Sequence, residues 1–181
     1  MRKELKDLYT DHANMRVLLQ LLESEMERYR NGVVPDFELL QSMINDIVVF
    51  QSLAHHPKED LVFHRLLQRD PLSAEATLDL LTDHARLAVL SRRFAAALSD
   101  VASGVELPRS WFDQLLFEFV AAVRSHMEME EKEFFPRAKD HLTDADWSEI
   151  DAIVERIKGL RISTTVADTQ LWLRSPNSRK Q

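Results

Sequence analysis

Two short segments of this 181-residue chain each occur twice at nearly the same spacing, and this repeat restricts the fold more than any other feature. Asp11-His12-Ala13 returns as Asp83-His84-Ala85, and HHPKEDLVF at 55–63 returns as HMEMEEKEF at 126–134, with an offset shorter by a single position. Within each half the Asp-His pair precedes a His-x-x-x-Glu, so the interval from His12 to His55 nearly equals that from His84 to His126. The chain therefore reads as two similar helical hairpins that supply the same chemical pieces. Residues four apart lie one turn apart on one helical face. His55/Glu59 and His126/Glu130 can thus each offer an imidazole and a carboxylate to a common point.

The apolar pattern predicts helices around these pieces. Leu5, Leu8, His12, Met15, Leu19, Leu22 and Met26 step by three and four, which predicts a helix over 3–29. Asn31-Gly32 and Pro35 end it. Asp36 caps a second helix to about residue 68, with Leu40, Ile44, Ile47 and Val48 on its early core face and an expected kink at Pro57. A third helix over 74–99 follows Ser73 as candidate N-cap, with Leu81, His84, Ala88, Ala95 and Leu98 read as one stripe. A fourth, over 109–138, lines up Phe112, Leu116, Phe119, Val123, His126, Glu130 and Phe134. Short joints between long helices favour antiparallel neighbours. The expected fold is all-α: an antiparallel up-down-up-down four-helix bundle over 1–158. A short additional helix, capped by Thr143 or Asp144, ends near Ile157. A partly disordered tail over 159–181 follows, in which Leu171, Trp172 and Leu173 pack back onto the bundle.

Composition excludes several classes. A formal charge of −7 is the wrong sign for neutralising phosphates, so no nucleic-acid partner is expected. The chain has no cysteine, which removes disulfides, iron–sulfur clusters and thiolate zinc sites. No stretch approaches the ~20 apolar residues that span a bilayer, and the first residues carry no apolar signal-peptide core, so a cytoplasmic protein without a membrane partner is expected.

His12 and His84 occupy stripe positions where leucine is the ordinary choice. Burying four imidazoles and two carboxylates without partners costs about several kcal/mol, and a pair of divalent cations removes that cost. Mixed imidazole and carboxylate donors inside a bundle suit iron or manganese, with zinc possible. Di-metal sites bridged by carboxylates are the usual form of such a constellation. The Glu-x-x-His order of ferritin-like proteins is absent. The repeat favours His55 with Glu59, because it aligns Phe63 with Phe134 at the same time, although His56/Asp60 has the same spacing and leaves His56 as an alternative ligand or an outer partner of the site. Glu128 and Glu133 read as a solvated face, whereas Glu131 is open, because a π-bulge or a shifted helix would bring it inward. His64 and His141 have no repeat partner and read as surface residues. Phe63, Phe134 and Phe135 read as a dry wall around the site.

DHAN at 11–14, HHPKEDLVF at 55–63, DHARL at 83–87 and HMEMEEKEFFP at 126–136 resemble the hemerythrin-like superfamily, specifically its bacterial HHE cation-binding domains. The resemblance implies two iron ions, with His12, His55, His84 and His126 as terminal metal ligands and Glu59 and Glu130 as bridges. Oxygen-carrying hemerythrins place a second histidine one turn from the third-helix ligand. Here those positions are Leu80 and Ala88. The expected role is therefore reaction with or binding of O2, NO or peroxide in redox or nitrosative stress, by a monomer or homodimer. The alternatives are iron-centre repair or iron donation, a peroxidase-like enzyme, and a structural metal. Iron-centre repair proteins share four His and two Glu but typically add cysteines, which this chain lacks. No catalytic residue outside the metal cluster is evident.

Overall fold

The computed structural model describes residues 2–72 and 79–157, and every regular element among them is helical. Helix α1 spans Lys3–Arg30. A long rod follows, made of α2 (Phe37–Phe50), a π-turn (Gln51–His55) and α3 (His56–Arg69). Helix α4 is described over Asp79–Ala102. The last rod comprises α5 (Arg109–Met129), a second π-turn (Glu130–Phe134) and α6 (Phe135–His141). The chain forms two compact units, Met1–Leu142 and Thr143–Gln181. In the second, helix α7 covers 144–157. Thr143 caps it: its Oγ1 accepts from the Asp146 N–H at 3.3 Å while Asp146 accepts from the Thr143 N–H at 2.9 Å. The expected Ser73 cap and the tail over 159–181 lie outside the described residues.

The hairpin joints match atom for atom. Both α1 and α4 end in a Schellman turn, in which Val33 N–H reaches Arg28 O and Val105 N–H reaches Asp100 O. Each turn needs a left-handed residue, and glycine supplies it: Gly32 at φ +83° and Gly104 at φ +84°. The ends of α1 and α4, the two glycines and the starts of α2 and α5 all keep the interval that separates His12 from His84. His55 and His126 are closer together by a single position. The first half thus holds one more residue between helix start and histidine, and the π-turn at Gln51–His55 absorbs it, with His56 N–H bonding Gln51 O five positions back. The sequence predicts a kink at Pro57; the irregularity observed is this π-turn, which ends two residues before it. Pro57 and Pro136 each fall in the first turn of the α-helix that follows a π-turn, where a missing N–H is least costly.

Helix α1 packs on α2 and α5, and α4 packs on the same two, so the rods enclose a common core. Ion pairs Arg16–Glu131, Glu23–Arg124 and Arg30–Asp113 climb one rod while descending the other, so α1 and α5 run antiparallel. All the stripe residues of α1 are buried, as are those expected on the last rod. In α4 the stripe needs correction. Leu81 is exposed and Ala88 half-buried, whereas Leu80, His84, Leu87, Ser91, Phe94 and Leu98 face inward. Phe94, a residue outside the expected stripe, stacks on Phe119 at 5.2 Å and sets the helix rotation. Each such fully buried side chain contributes about 1.5–3 kcal/mol. Among the described residues, no helix is long and apolar enough to cross a membrane.

Candidate metal centre

The six side chains singled out by the repeat converge inside the bundle. His12 comes from α1, His55 and Glu59 from the second rod, His84 from α4, and His126 and Glu130 from the last rod. Each is buried, and both glutamates are fully so. Large apolar side chains lie toward both bundle ends: the core from Met15 to Met127 on one side, and Phe63, Phe134 and Phe135 on the other. Phe135 stacks on the His12 ring at 5.3 Å, so the expected dry wall touches the site directly.

The two carboxylates divide the cluster into halves. Glu59 Oε1 lies 3.0 Å from His55 Nε2 and 3.6 Å from His12 Nε2, while its Oε2 lies 3.5 Å from His84 Nε2. Glu130 does the converse: Oε2 is 3.3 Å from His12 Nε2, and Oε1 is 3.2 Å from His126 Nε2 and 3.7 Å from His84 Nε2. Each glutamate therefore presents one oxygen to the His12/His55 side and the other to the His84/His126 side. Two donor groups emerge with ligand atoms within 4.8 Å of one another: His12, His55, Glu59 and Glu130, and His56, Glu59, His84 and His126.

Behind the imidazoles stands a second ring of carboxylates. Glu131 Oε1 is 2.9 Å from His12 Nδ1, and Asp60 Oδ1 is 2.9 Å from His84 Nδ1. Asp11 lies 3.4 Å from His55 Nδ1, and Asp83 lies 4.0 Å from His126 Nδ1, too far for a direct hydrogen bond. A carboxylate at Nδ1 fixes the tautomer that leaves the Nε2 lone pair free for a metal. The repeat explains the pattern. In each Asp-His pair the aspartate lies behind the imidazole one rod on, within hydrogen-bond reach for Asp11 alone, and the residue after each central glutamate backs the opposite hairpin's first histidine. The π-turn at Glu130–Phe134 holds Glu131 inward, where Arg16 also grips it at 2.7 Å. Glu128 and Glu133 remain on the surface, paired with Lys132 and Arg137. His64 and His141 are exposed, the latter 2.9 Å from Asp70.

Charge is closely compensated here. Burial opposes protonation of His12, but Glu130 and Glu59 raise it to about 10. His84 is likewise penalised by burial yet raised to about 11 by Asp60, Glu130 and Glu59, and His55 to about 9 by Glu59 and Asp11. Burial works against ionised Glu59 too, but His55, His12 and His84 hold it well below the usual carboxylate range. Glu130, opposed by burial and by Glu59, is brought to about 2 by His12, His126 and His84. His56 goes the other way, to about 3, through burial and the neighbouring His84 cation.

The residues fit a bound metal cation on a direct observation. Both oxygens of Glu59 and Glu130, and Nε2 of His56, His84 and His126, are buried without a hydrogen-bond partner and belong to this one cluster. His12 Nε2 and His55 Nε2 stand 3.1 Å apart, the spacing of two donors about 2.1 Å from a shared ion. The structure brings together the six residues that the sequence singled out. Sequence reasoning did not assign Asp11, Asp60, Asp83 or Arg16, although the recurring Glu-Asp and Glu-Glu pairs were a visible signal.

A family model described as the hemerythrin HHE cation binding domain matches residues 4–138, and matches again over 76–174. The starts of the two matches are separated by the same interval as His12 and His84. No curated protein matches the chain, nor does any solved structure.

Proposed function

The chain belongs to the hemerythrin HHE cation binding domain family, and on that premise we propose that it is a non-haem di-iron protein that binds or reacts with O2, NO or peroxide in redox or nitrosative stress. The observation that carries this reading is the bidirectional placement of Glu59 and Glu130, each with one oxygen toward each group of imidazoles. A carboxylate set between two groups of imidazoles is the arrangement that a pair of ions in a helix bundle would use. In this reading His12 and His55 would hold one ion, His84 and His126 the other, and Glu59 and Glu130 would each serve both. Iron bound there supplies one-electron redox chemistry and positions for a small exogenous ligand.

The protein's own side chains prepare the site. Glu131 and Asp60 orient His12 and His84 and draw the Nδ1 protons outward, which directs Nε2 toward the centre. Phe63, Phe134 and Phe135 exclude water and confine access to small molecules. The same proposal takes the rods as up-down-up-down and the setting as cytoplasmic. Support for the topology comes from the short joints and the antiparallel α1 and α5.

The test is anaerobic Fe(II) loading followed by visible spectra before and after O2, H2O2 or NO. A stable, ligand-dependent spectrum is expected. Repeated peroxide turnover establishes an enzyme, a reversible oxygen spectrum establishes carriage, and an inert centre leaves a structural metal.

A further inference from the structure

His56 is the one buried histidine of the cluster that the repeat does not require, since its counterpart in the second half is Met127. Its ring lies over His84 at 4.0 Å with planes 10° apart, and edge-on to His126 at 5.6 Å. Only 7 % of the residue is exposed, and its Nε2 has no hydrogen-bond partner. One of its ring nitrogens groups with donor atoms of Glu59, His84 and His126. His55, the preceding residue, points its Nε2 at His12 instead. Consecutive side chains on a helix diverge by about 100°, and at the junction of the π-turn with α3 that divergence sends the pair to opposite sides of the Glu59 carboxylate. Helix α4 offers no second imidazole to this half, because Leu80, one turn before His84, is fully buried and Ala88, one turn after, has no donor.

We propose that His56 is a metal ligand of the His84/His126 half of the centre, supplying from the second rod the imidazole that α4 lacks. The proposal rests on the di-iron reading above. It makes the two halves chemically unequal, with His12 and His55 on one side and His56, His84 and His126 on the other. Two iron ions in such surroundings give two distinct Mössbauer doublets.

The alternative is that His56 only stacks on His84, and the substitution His56→Phe separates the two, because it keeps an aromatic ring and removes the nitrogens. Iron content, competition with a chelator and Mössbauer spectra are measured on wild type and variant, with circular dichroism to check folding. His56→Gln is measured alongside, so that a poorly folded phenylalanine variant still leaves a readable outcome. The expected result is that the second iron is held at least about tenfold more weakly and that one doublet shifts or disappears. A variant that keeps two irons with wild-type affinity and unchanged doublets overturns the proposal and leaves the di-iron reading standing. A wild-type protein that does not take two irons, tested beside it, overturns both.

Discussion

At the residue scale, the carboxylates in and around the cluster fall into three roles that sequence alone only partly separates. Glu130 sits fully buried with both oxygens aimed at imidazoles, whereas Glu128, just before it, lies on the surface beside Lys132. Replacing Glu130 by Ala is expected to release metal, and replacing Glu128 by Ala to leave content unchanged, as read by iron analysis of the purified variants. The backing carboxylates act through the imidazoles they orient. Glu131→Gln and Asp60→Asn are therefore expected to weaken iron binding about 10–100-fold without unfolding the bundle, measured by chelator competition. The central six residues were legible because the repeat marks them twice. Glu131 was left open between a surface and an inward position, and the local π-turn decides it by turning the carboxylate toward His12.

Elements show where periodicity succeeds and where it slips. The stripe of α1 was readable because Leu5, Met15 and Met26 stand between polar neighbours and fix a spacing that the largely apolar run at 17–22 can follow. In α4 the run Leu80-Leu81 and the alanines near Ala95 offer two adjacent stripes, and the large ring of Phe94 decides between them by packing on Phe119 and Phe112. The π-turn at Gln51–His55 reconciles the longer repeat offset at the joints with the shorter one at His55 and His126. Deleting Ala54, an exposed residue of that turn, removes the extra residue and rotates α2 by about 100° relative to α3. Leu40, Ile44 and Ile47 then cannot stay buried while His55 and Glu59 remain at the centre. The expected outcome is a loss of iron, of thermal stability, or of both; full retention of each contradicts the register argument. At the joints, Gly32→Ala and Gly104→Ala each force an L side chain into the left-handed region. Nothing lies within 4 Å of either added Cβ, so the cost is conformational, about 1–2 kcal/mol in denaturant unfolding, with iron content unchanged.

For the whole molecule, the proposed iron centre is expected to couple stability to pH in opposite directions with and without iron. In the metal-free protein His12, His55 and His84 are held protonated to about 10, 9 and 11. Their contribution is complete below the ordinary value of 6.5 and is lost as pH rises through those raised values. His56, lowered to about 3, and Glu130, lowered to about 2, contribute the reverse, a loss as pH falls below 6.5 and 4.5. Stability without metal should therefore peak near pH 6.5. Iron needs unprotonated imidazoles, so its binding releases protons and its stabilisation grows with pH. The gap in melting temperature between iron-loaded and chelated protein should widen from pH 6.5 to about 9. A constant gap contradicts the assignment of these imidazoles as ligands.

The central claim is that two hairpins together build one site for two bridged iron ions, and anaerobic Fe(II) titration with a count of tightly held iron per chain tests it most directly. The account predicts saturation at two per chain, falling steeply in Glu59→Ala and Glu130→Ala alike because each carboxylate serves both ions. Saturation at fewer than about one iron per chain, or loss of one glutamate without effect on either ion, contradicts it.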